Sequence, residues 1–151
     1  MAHVSLLTPI GYLSVFSDGS AVIAIEFGRV TTSNTIDNIT KNARQQLNAY
    51  FDGSLRQFDL PLNPTGTVFQ QAVWRAILNI SFSKTRTYSD IAADVRSSAR
   101  AVGGACAANP IPIIIPCHRV LGKGGMLGGY SGGEGPETKQ VLLRREGALL
   151  I

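Results

Sequence analysis

Cysteine and histidine are scarce in this sequence of 151 residues, which holds two of each. Cys106 and Cys117 are too few for a disulfide framework, and their spacing is not that of a zinc site. His3 and His118 could join them around a metal only through a coincidence of the fold. We therefore expect no metal and no cofactor, and two reduced thiols, as is usual in an intracellular compartment.

Long apolar runs and a leader-like segment are also missing. No run reaches the roughly 18 residues that a membrane-spanning helix needs, and no basic segment precedes an apolar one near the first residue. Neither a P-loop nor the glycine pattern of a dinucleotide-binding fold is present. We expect no association with a membrane and a cytoplasmic location, or a nuclear one if the source is a eukaryote.

The few charged residues are unevenly placed. Residues 1–64 hold four Lys and Arg against five Asp and Glu, or −1, and residues 65–151 hold ten against five, or +5, which together give the net charge of +4. A basic C-terminal half indicates a polyanionic partner and favours nucleic acid.

The hydrophobic and turn patterns predict two domains. Three strands and one helix are predicted first, over 4–7, 12–16, 21–27 and 34–51. The segment Asn63-Pro64-Thr65-Gly66 is the best linker. We therefore place an N-terminal domain at residues 1–63, with no chemical site of its own, and a C-terminal domain at residues 64–151.

The C-terminal domain contains a predicted helix-turn-helix. Its helical patterns cover 67–78, 88–95, 99–107 and 138–146. A tight turn separates the second pattern from the third, as in a helix-turn-helix. Gly103 and Gly104 each cost the third helix about 1 kcal/mol relative to alanine. Close helix packing would explain them, and so would close approach to a nucleic acid, for which Arg100 could contact a phosphate or, as fits better, enter the base stack.

A thiol follows the apolar run of residues 113–115, where Cys117 is succeeded by His118 and Arg119. The thiolate is the nucleophilic form of cysteine, and it needs a positive or proton-accepting neighbourhood, which these two residues could supply. A buried cysteine is more commonly a small hydrophobic residue, and then His118 and Arg119 would face solvent. The context on both sides favours the nucleophile.

The prolines around this run predict an extended chain up to Cys117. Neighbouring side chains of an extended chain point to opposite faces, so His118 could reach the sulfur only through a bend or through a water. If His118 activates Cys117, we expect a relay rather than direct contact. A third group should then orient the imidazole, and Glu146 is the best acidic candidate downstream. The same geometry argues against a Cys–His hydrolase.

An ordered set of motifs spans residues 66–147. The motifs are Gly66-Thr67-x-Phe69-Gln70-x-x-Val73-Trp74, Thr87-Tyr88-x-x-Ile91-Ala92, Arg100-Ala101-Val102-Gly103-Gly104-Ala105, Asn109-Pro110, Pro116-Cys117-His118-Arg119-Val120, Gly129-Tyr130-Ser131-Gly132-Gly133, Lys139, Leu142-Leu143 and Glu146-Gly147. In this order the chain resembles the O6-alkylguanine-DNA alkyltransferases, or methylated-DNA–protein-cysteine methyltransferases.

The resemblance implies an α+β protein with an N-terminal ribonuclease-H-like αβ domain and a C-terminal winged-helix-like domain, which contains the helix-turn-helix. It also implies direct DNA repair. An O6-alkylguanine in double-stranded DNA, or an O4-alkylthymine, would be flipped from the minor groove into a pocket. Its alkyl group would pass irreversibly to Cys117 in a single turnover. The protein would act as a monomer that could bind DNA cooperatively, without metal or cofactor.

Catalytic roles follow from the resemblance alone. Cys117 is the acceptor, His118 takes its proton through water and Glu146 orients His118. Tyr88 protonates N3 of the leaving guanine, and Asn109 fixes the turn before the cysteine. Arg119 is expected to be structural or to help the electrostatics.

Base and DNA contacts are implied in the same way. Ser131 contacts O6, the backbone around Cys117 and Val120 contacts the exocyclic amine, and Pro112 and Tyr130 are pocket walls. Arg100 takes the place of the extruded base. The remaining residues expected to bind DNA are Ala101, Gly103, Gly104 and Thr87.

Two other interpretations of the same residues remain. An alkyltransferase-like lesion-binding protein flips the base but does not dealkylate it, and such proteins lack the acceptor cysteine that is present here. A winged-helix regulator would leave Tyr88, His118 and Glu146 without a role. The regulatory members of the family carry an extra zinc domain with four cysteines, so we predict repair without a transcriptional switch.

Overall fold

The described residues, 1–31 and 35–148 of a computed structural model, form two units. The units are Met1–Thr65 and Gly66–Ile151, and the division falls inside the segment that the sequence predicts as a linker. None of the described helices is long and apolar enough to cross a membrane.

The N-terminal unit is an antiparallel meander with one helix. Its strands are β1 (Ala2–Thr8), β2 (Gly11–Ser17) and β3 (Val22–Phe27), paired in the order β1-β2-β3, and its helix is α1 (Asn38–Asp52). The helix begins at the N-cap Asp37, whose carboxylate accepts the N–H of Thr40. It ends at Gly53, whose φ of 89° is left-handed. The predicted start of this helix at Asn34 lies outside the described residues, but residues 35–37, which the sequence also assigned to the helix, precede it.

The C-terminal unit contains the predicted helix-turn-helix. Its helices are α2 (Val68–Leu78), α3 (Tyr88–Val95), α4 (Ala99–Ala107) and α5 (Pro136–Arg145), and its strands β4 (Arg86–Thr87) and β5 (Val120–Leu121) pair in parallel. Thr67 and Gln70 form the capping box expected for α2. Ser98 caps α4 by accepting the N–H of Ala101 at 3.1 Å. These caps satisfy backbone N–H groups that a helix leaves open at its start.

Trp74 joins two of these helices. It is 1% exposed, and its Nε1 donates to the carbonyl oxygen of Ala105 at 2.9 Å. A buried indole N–H needs such a partner. This buried bond links α2 to α4, the helix expected to contact DNA, and so helps to fix the position of α4 within the C-terminal unit.

The chain after α4 turns sharply instead of running extended, so the sequence prediction for the isoleucine run is wrong. The N–H of Ile115 donates to the carbonyl oxygen of Ile111 at 3.0 Å, and Ile113 has a left-handed φ of 75°. The amide of Asn109 holds this turn, since Oδ1 accepts from the N–H of Ile111 and Nδ2 donates to the oxygen of Ile115, each at 2.9 Å. Prolines restrict only local angles, whereas these bonds and the burial of the isoleucines decide the path.

Candidate active site

A cavity of about 450 Å³ opens beside Cys117 in the C-terminal unit. Four elements supply its walls: the start of α3, one face of α4, the turn that holds Cys117 and the loop after β5. The lining residues are Tyr88, Gly103, Cys106, Ala107, Cys117, Gly129, Tyr130 and Ser131. The fold thus brings together five predicted site residues from distant parts of the sequence, Tyr88, Gly103, Cys117, Tyr130 and Ser131.

The Cys117 thiol is held at the cavity wall by a neighbouring amide. Asn109 Nδ2 donates to Cys117 Sγ at 3.2 Å, and Cys117 is only 5% exposed. Contact with the Cys106 thiol and burial raise the pKa of Cys117 well above its ordinary value, against the opposing effects of Asn109 and Lys139. The thiol is therefore protonated near neutral pH, and a base is needed to make it a nucleophile.

Behind the thiol, His118 and Arg119 share one carboxylate. His118 Nε2 lies 2.7 Å from Glu146 Oε2, while Arg119 Nε donates to Oε1 at 2.8 Å and Nη2 donates to Oε2 at 3.0 Å. Nη1 of Arg119 donates to the carbonyl oxygen of Ile80 at 2.7 Å. All three side chains of the cluster are buried, which excludes the interpretation in which His118 and Arg119 face solvent.

The arginine determines the proton positions in this cluster. Glu146 accepts a bidentate pair from Arg119, so its carboxylate is ionised and can only accept hydrogen bonds. Nε2 of His118 must then carry the hydrogen, and Nδ1 is left with a lone pair. Burial lowers the pKa of His118, which keeps the ring neutral. Nδ1 has no hydrogen-bond partner among the described residues, so this nitrogen is available as a base.

The backbone conformation at Cys117 directs the side chains of Cys117 and His118 away from each other. Cys117–Arg119 is a single 3₁₀ turn rather than an extended segment. Consecutive side chains on a 3₁₀ helix are about 120° apart, because it has about three residues per turn. A relay between Cys117 and His118 therefore stays the better hypothesis, although the extended geometry from which it was first inferred is wrong.

Lys139 is a candidate functional residue without a role in the sequence prediction. It is fully buried on α5, and its Nζ donates to the carbonyl oxygens of Val120 at 2.6 Å and Gly129 at 3.2 Å. It also donates to Tyr88 Oη at 3.3 Å. Burial lowers the pKa of Lys139 to about 8, against the opposing effect of the two cysteines.

The sequence contained a signal for this lysine. Lys139 precedes Leu142 and Leu143 by three and four residues, so all three share the apolar face of the last helix. A lysine on such a face is rarely buried without a partner or a task.

Lys139 also affects Tyr88. The phenol accepts a hydrogen bond from the ammonium, so its own proton is free to point into the cavity. Burial raises the pKa of Tyr88 to about 12, and the phenol is therefore a proton donor at neutral pH. Gly128, whose φ is 71°, packs against this pair. A larger residue there would place its Cβ 3.2 Å from the Tyr88 ring, which is closer than an ordinary contact.

Lys139→Met is expected to change the pH dependence of stability. The folded-state pKa of about 8 lies below the ordinary 10.5, so the unfolded chain binds more protons between these values and the parent gains stability as pH rises through them. Relative to Lys139→Met, the parent should gain about 2 kcal/mol between pH 7 and pH 10. Urea unfolding of both proteins at these pH values measures this difference. A difference that does not vary with pH would show that the folded ammonium has an ordinary pKa.

The glycines of α4 face open space. A Cβ at Gly103 or Gly104 would meet no atom of the described residues within 4 Å. The packing explanation for them is therefore wrong. Arg100, on the same helix, is exposed, and Ala101 is half-buried. The helix presents a surface without side chains beyond a methyl group around a single arginine.

Thr87, Val120 and Pro112 are predicted residues that do not line the cavity, whereas Ser131 does. Thr87 caps α3 by accepting the N–H of Asp90 at 3.0 Å. Val120 is buried in β5, and Pro112 lies half-buried in the isoleucine turn. Ser131 Oγ donates to the carbonyl oxygen of Ala107 at 3.3 Å, which connects the loop after β5 to the end of α4.

Two family models match the chain. The model described as "6-O-methylguanine DNA methyltransferase, ribonuclease-like domain" matches residues 2–64. The model described as "6-O-methylguanine DNA methyltransferase, DNA binding domain" matches residues 68–148. Their order and the α+β architecture confirm the fold class predicted from the sequence.

Curated relatives and solved structures agree with these matches. The methylated-DNA–protein-cysteine methyltransferase of Mycobacterium tuberculosis (strain ATCC 25618 / H37Rv) is 43% identical over 147 residues, which cover 92% of this chain and 88% of the relative. The constitutive methylated-DNA–protein-cysteine methyltransferase of Bacillus subtilis (strain 168) is 40% identical, covering 92% of this chain and 91% of the relative. The crystal structure of Mycobacterium tuberculosis OGT in complex with DNA matches with a TM-score of 0.87 at 41% identity, covering 97% of this chain and 92% of that one.

Proposed function

The chain belongs to the 6-O-methylguanine DNA methyltransferase family, binds DNA and repairs it by alkyl transfer to a cysteine, and we propose that this cysteine is Cys117. The substrates that we propose are O6-alkylguanine and O4-alkylthymine in double-stranded DNA. One observation carries the assignment of the acceptor. Cys117 borders the cavity and directly precedes His118, whose ring is held by a buried carboxylate.

His118 makes Cys117 nucleophilic in this proposal. Glu146 fixes the hydrogen on Nε2, so Nδ1 accepts the thiol proton through a bridging water. The imidazolium that forms is stabilised by the same carboxylate, which offsets the burial that lowers its pKa. The amide of Asn109 donates to the sulfur and stabilises the thiolate.

Tyr88 assists the departure of guanine. The Cys117 sulfur forms a bond to the alkyl carbon as the bond between that carbon and O6 breaks. The guanine then carries negative charge, and we propose that the Tyr88 hydroxyl protonates its N3. His118 then holds the thiol proton and Tyr88 has lost its own, so the balance closes when the imidazolium returns a proton to the phenolate through solvent. Lys139, which donates to the phenolic oxygen, stabilises the charge left on Tyr88.

The thioether product explains single use. No group that borders the cavity among the described residues can break a carbon–sulfur bond, because a second thiol exchanges with disulfides but not with thioethers. Each protein molecule is therefore consumed by one transfer. Ser131 and Tyr130 border the cavity where the flipped base would lie, and we propose that they contact it.

The surface of α4 without large side chains is the proposed DNA-reading surface. A groove floor can approach a helix closely only where no large side chain intervenes, and the glycines of α4 face open space. We propose that Arg100 enters the base stack in the place of the flipped nucleotide. The net charge of +5 on residues 65–151 favours the approach of this unit to DNA.

Gly104→Ala is expected to stabilise the protein and to weaken DNA binding. Alanine raises helix stability by about 0.5–1 kcal/mol relative to glycine, and its Cβ meets nothing within 4 Å in the free protein. The same methyl group would collide with a groove floor, so the affinity for duplex DNA should fall about tenfold. Urea unfolding and fluorescence anisotropy at fixed salt measure the two effects.

Asn48→Ala is the matched control for this change. Asn48 is exposed on α1 in the other unit, so alanine should raise helix stability without a change in DNA affinity. If Gly104→Ala left the affinity at the parental value, α4 would not be the surface that approaches the groove floor.

The proposed function is tested by intact-mass measurement after incubation with a duplex that contains O6-methylguanine. We expect a gain of about 14 Da, one methyl group in place of a hydrogen, on one thiol per molecule. Peptide mapping should place the methyl group on Cys117 and not on Cys106, although both thiols border the cavity. Lesion binding without a mass gain would instead identify a protein of the alkyltransferase-like type.

A further inference from the structure

Cys106 is the one thiol of the cavity that alkyl transfer does not use. It lies on α4, is half-buried, and is a free cysteine like Cys117. A second thiol cannot open a thioether, so Cys106 has no task after the transfer. Helix α4 is otherwise built of small residues, a valine and one arginine, and a thiol on its cavity face is not required by packing or by DNA binding.

A single residue ties the two cysteines together. The backbone N–H of Asn109 donates to the carbonyl oxygen of Cys106 at 3.2 Å, and its Nδ2 donates to Cys117 Sγ at 3.2 Å. The sharp isoleucine turn between them returns the chain to α4. Both cysteines then border the same cavity.

The thiols interact with each other and with the same cation. Cys117 is the main cause that lowers the pKa of Cys106, Cys106 is the main cause that raises the pKa of Cys117, and Lys139 lowers the pKa of both. Two thiols that border one cavity, one of them with a lowered pKa, can react in turn, since one sulfur is oxidised and the other resolves the product.

We propose that Cys106 and Cys117 are a reversible oxidation site, at which a hydroperoxide converts the two thiols into an intramolecular disulfide. In the first step His118 takes the proton of Cys117 and the resulting thiolate attacks the outer peroxide oxygen, so a sulfur–oxygen bond forms, the oxygen–oxygen bond breaks, and an alcohol or water leaves. In the second step the Cys106 thiolate attacks the sulfenic sulfur, so a disulfide forms and hydroxide leaves. The two sulfurs together lose two electrons, which the peroxide gains.

The disulfide would protect a protein that can be used only once. A Cys117 sulfenic acid without a resolving thiol proceeds to sulfinic acid, which is not reversible here. A disulfide is opened by exchange with an external thiol and returns both cysteines. While it lasts, the acceptor sulfur is blocked, so oxidised protein binds DNA but accepts no alkyl group. This last consequence rests on the proposed function, whereas the disulfide itself does not.

The experiment is oxidation of the full chain by about one equivalent of hydrogen peroxide, followed by intact mass and peptide mapping under non-reducing conditions. We expect a loss of about 2 Da, two hydrogens, and a peptide pair linked through Cys106 and Cys117. Treatment with dithiothreitol should restore both free thiols and at least about nine-tenths of the methyl acceptance present before oxidation.

Cys106→Ser and Cys106→Ala supply the comparison, each measured against its own unoxidised sample. Under excess peroxide both should gain about 32 Da at Cys117, as sulfinic acid, and recover less than about one-tenth of their acceptance after reduction, whereas the parent given the same dose should still form the disulfide and recover at least about nine-tenths. Equal recovery in the parent and these variants, a disulfide between two protein molecules, or no loss of 2 Da in the parent would each overturn the proposal. The disulfide is detected by mass without any DNA. If the proposed function were wrong, methyl acceptance would be absent before oxidation, and the loss of 2 Da would still test the disulfide.

Discussion

Cys117→Ser is expected to abolish alkyl transfer and to leave binding of lesion DNA intact. A serine hydroxyl is a much weaker acid than a thiol, and His118 is a weak base because burial lowers its pKa. The neutral hydroxyl is also a poor nucleophile. The single-turnover rate, followed as methyl gain on the protein, should fall by more than about 10⁴-fold. Anisotropy with a labelled duplex that contains O6-methylguanine should give an affinity close to that of the parent.

The chain offers a matched control for this experiment in its second cysteine. Cys106→Ser makes the same chemical change at the border of the same cavity, and it should still accept one methyl group at Cys117. If Cys117→Ser instead gained a methyl group at Cys106, the acceptor would be reassigned. If neither variant differed from the parent, neither thiol would be the acceptor.

Glu146→Gln is expected to have the largest effect on stability. Arg119 is buried and donates to both oxygens of this carboxylate, so the amide would leave its charge without an ionic partner. Loss of one partner of a buried ion pair costs about 3–5 kcal/mol. For a chain of this size, the melting temperature should fall by about 6 °C or more. Urea unfolding and thermal unfolding followed by circular dichroism measure both quantities.

The same change should slow alkyl transfer through the tautomer of His118. A glutamine can present its NH₂ group to Nε2, which then becomes the acceptor and moves the ring hydrogen to Nδ1. A protonated Nδ1 cannot take the thiol proton, so the transfer rate should fall by about 10²–10⁴-fold. A rate measured well below the melting temperature separates this effect from unfolding.

Glu137→Gln serves as the control for both readouts. Glu137 is exposed in the first turn of the same helix, α5, so its amide should change stability by no more than about 1 kcal/mol and leave the transfer rate unchanged. If Glu146→Gln behaved like this control, the carboxylate would not be ionised in the folded protein, and the proton assignment in the His118 cluster would be wrong.

Local signals predicted most of the helices and their ends. The capping boxes at Thr67 and Thr87 and the glycine after α1 act within a few residues, so they can be recognised in the sequence. The isoleucine turn was missed for the opposite reason. Its path depends on the Asn109 amide and on burial, and proline content alone indicated an extended chain.

The pairing of Glu146 with His118 could be predicted because each residue type had few candidates. The role of Arg119 was underestimated, since adjacency in sequence does not reveal that a side chain turns inward to a carboxylate. The α4 glycines left two explanations open, and only the open space around them excluded close packing.

The sequence by itself determined the family, the order of the two domains, the helix ends and the residue types available for chemistry. Tertiary structure alone decided which of these groups meet. It placed Cys106 and Cys117 at one cavity, buried Lys139 against Tyr88, and bound Arg119 to Glu146. Contacts between residues distant in the chain depend on how helices pack around a shared core, and pKa values follow from that burial and those contacts.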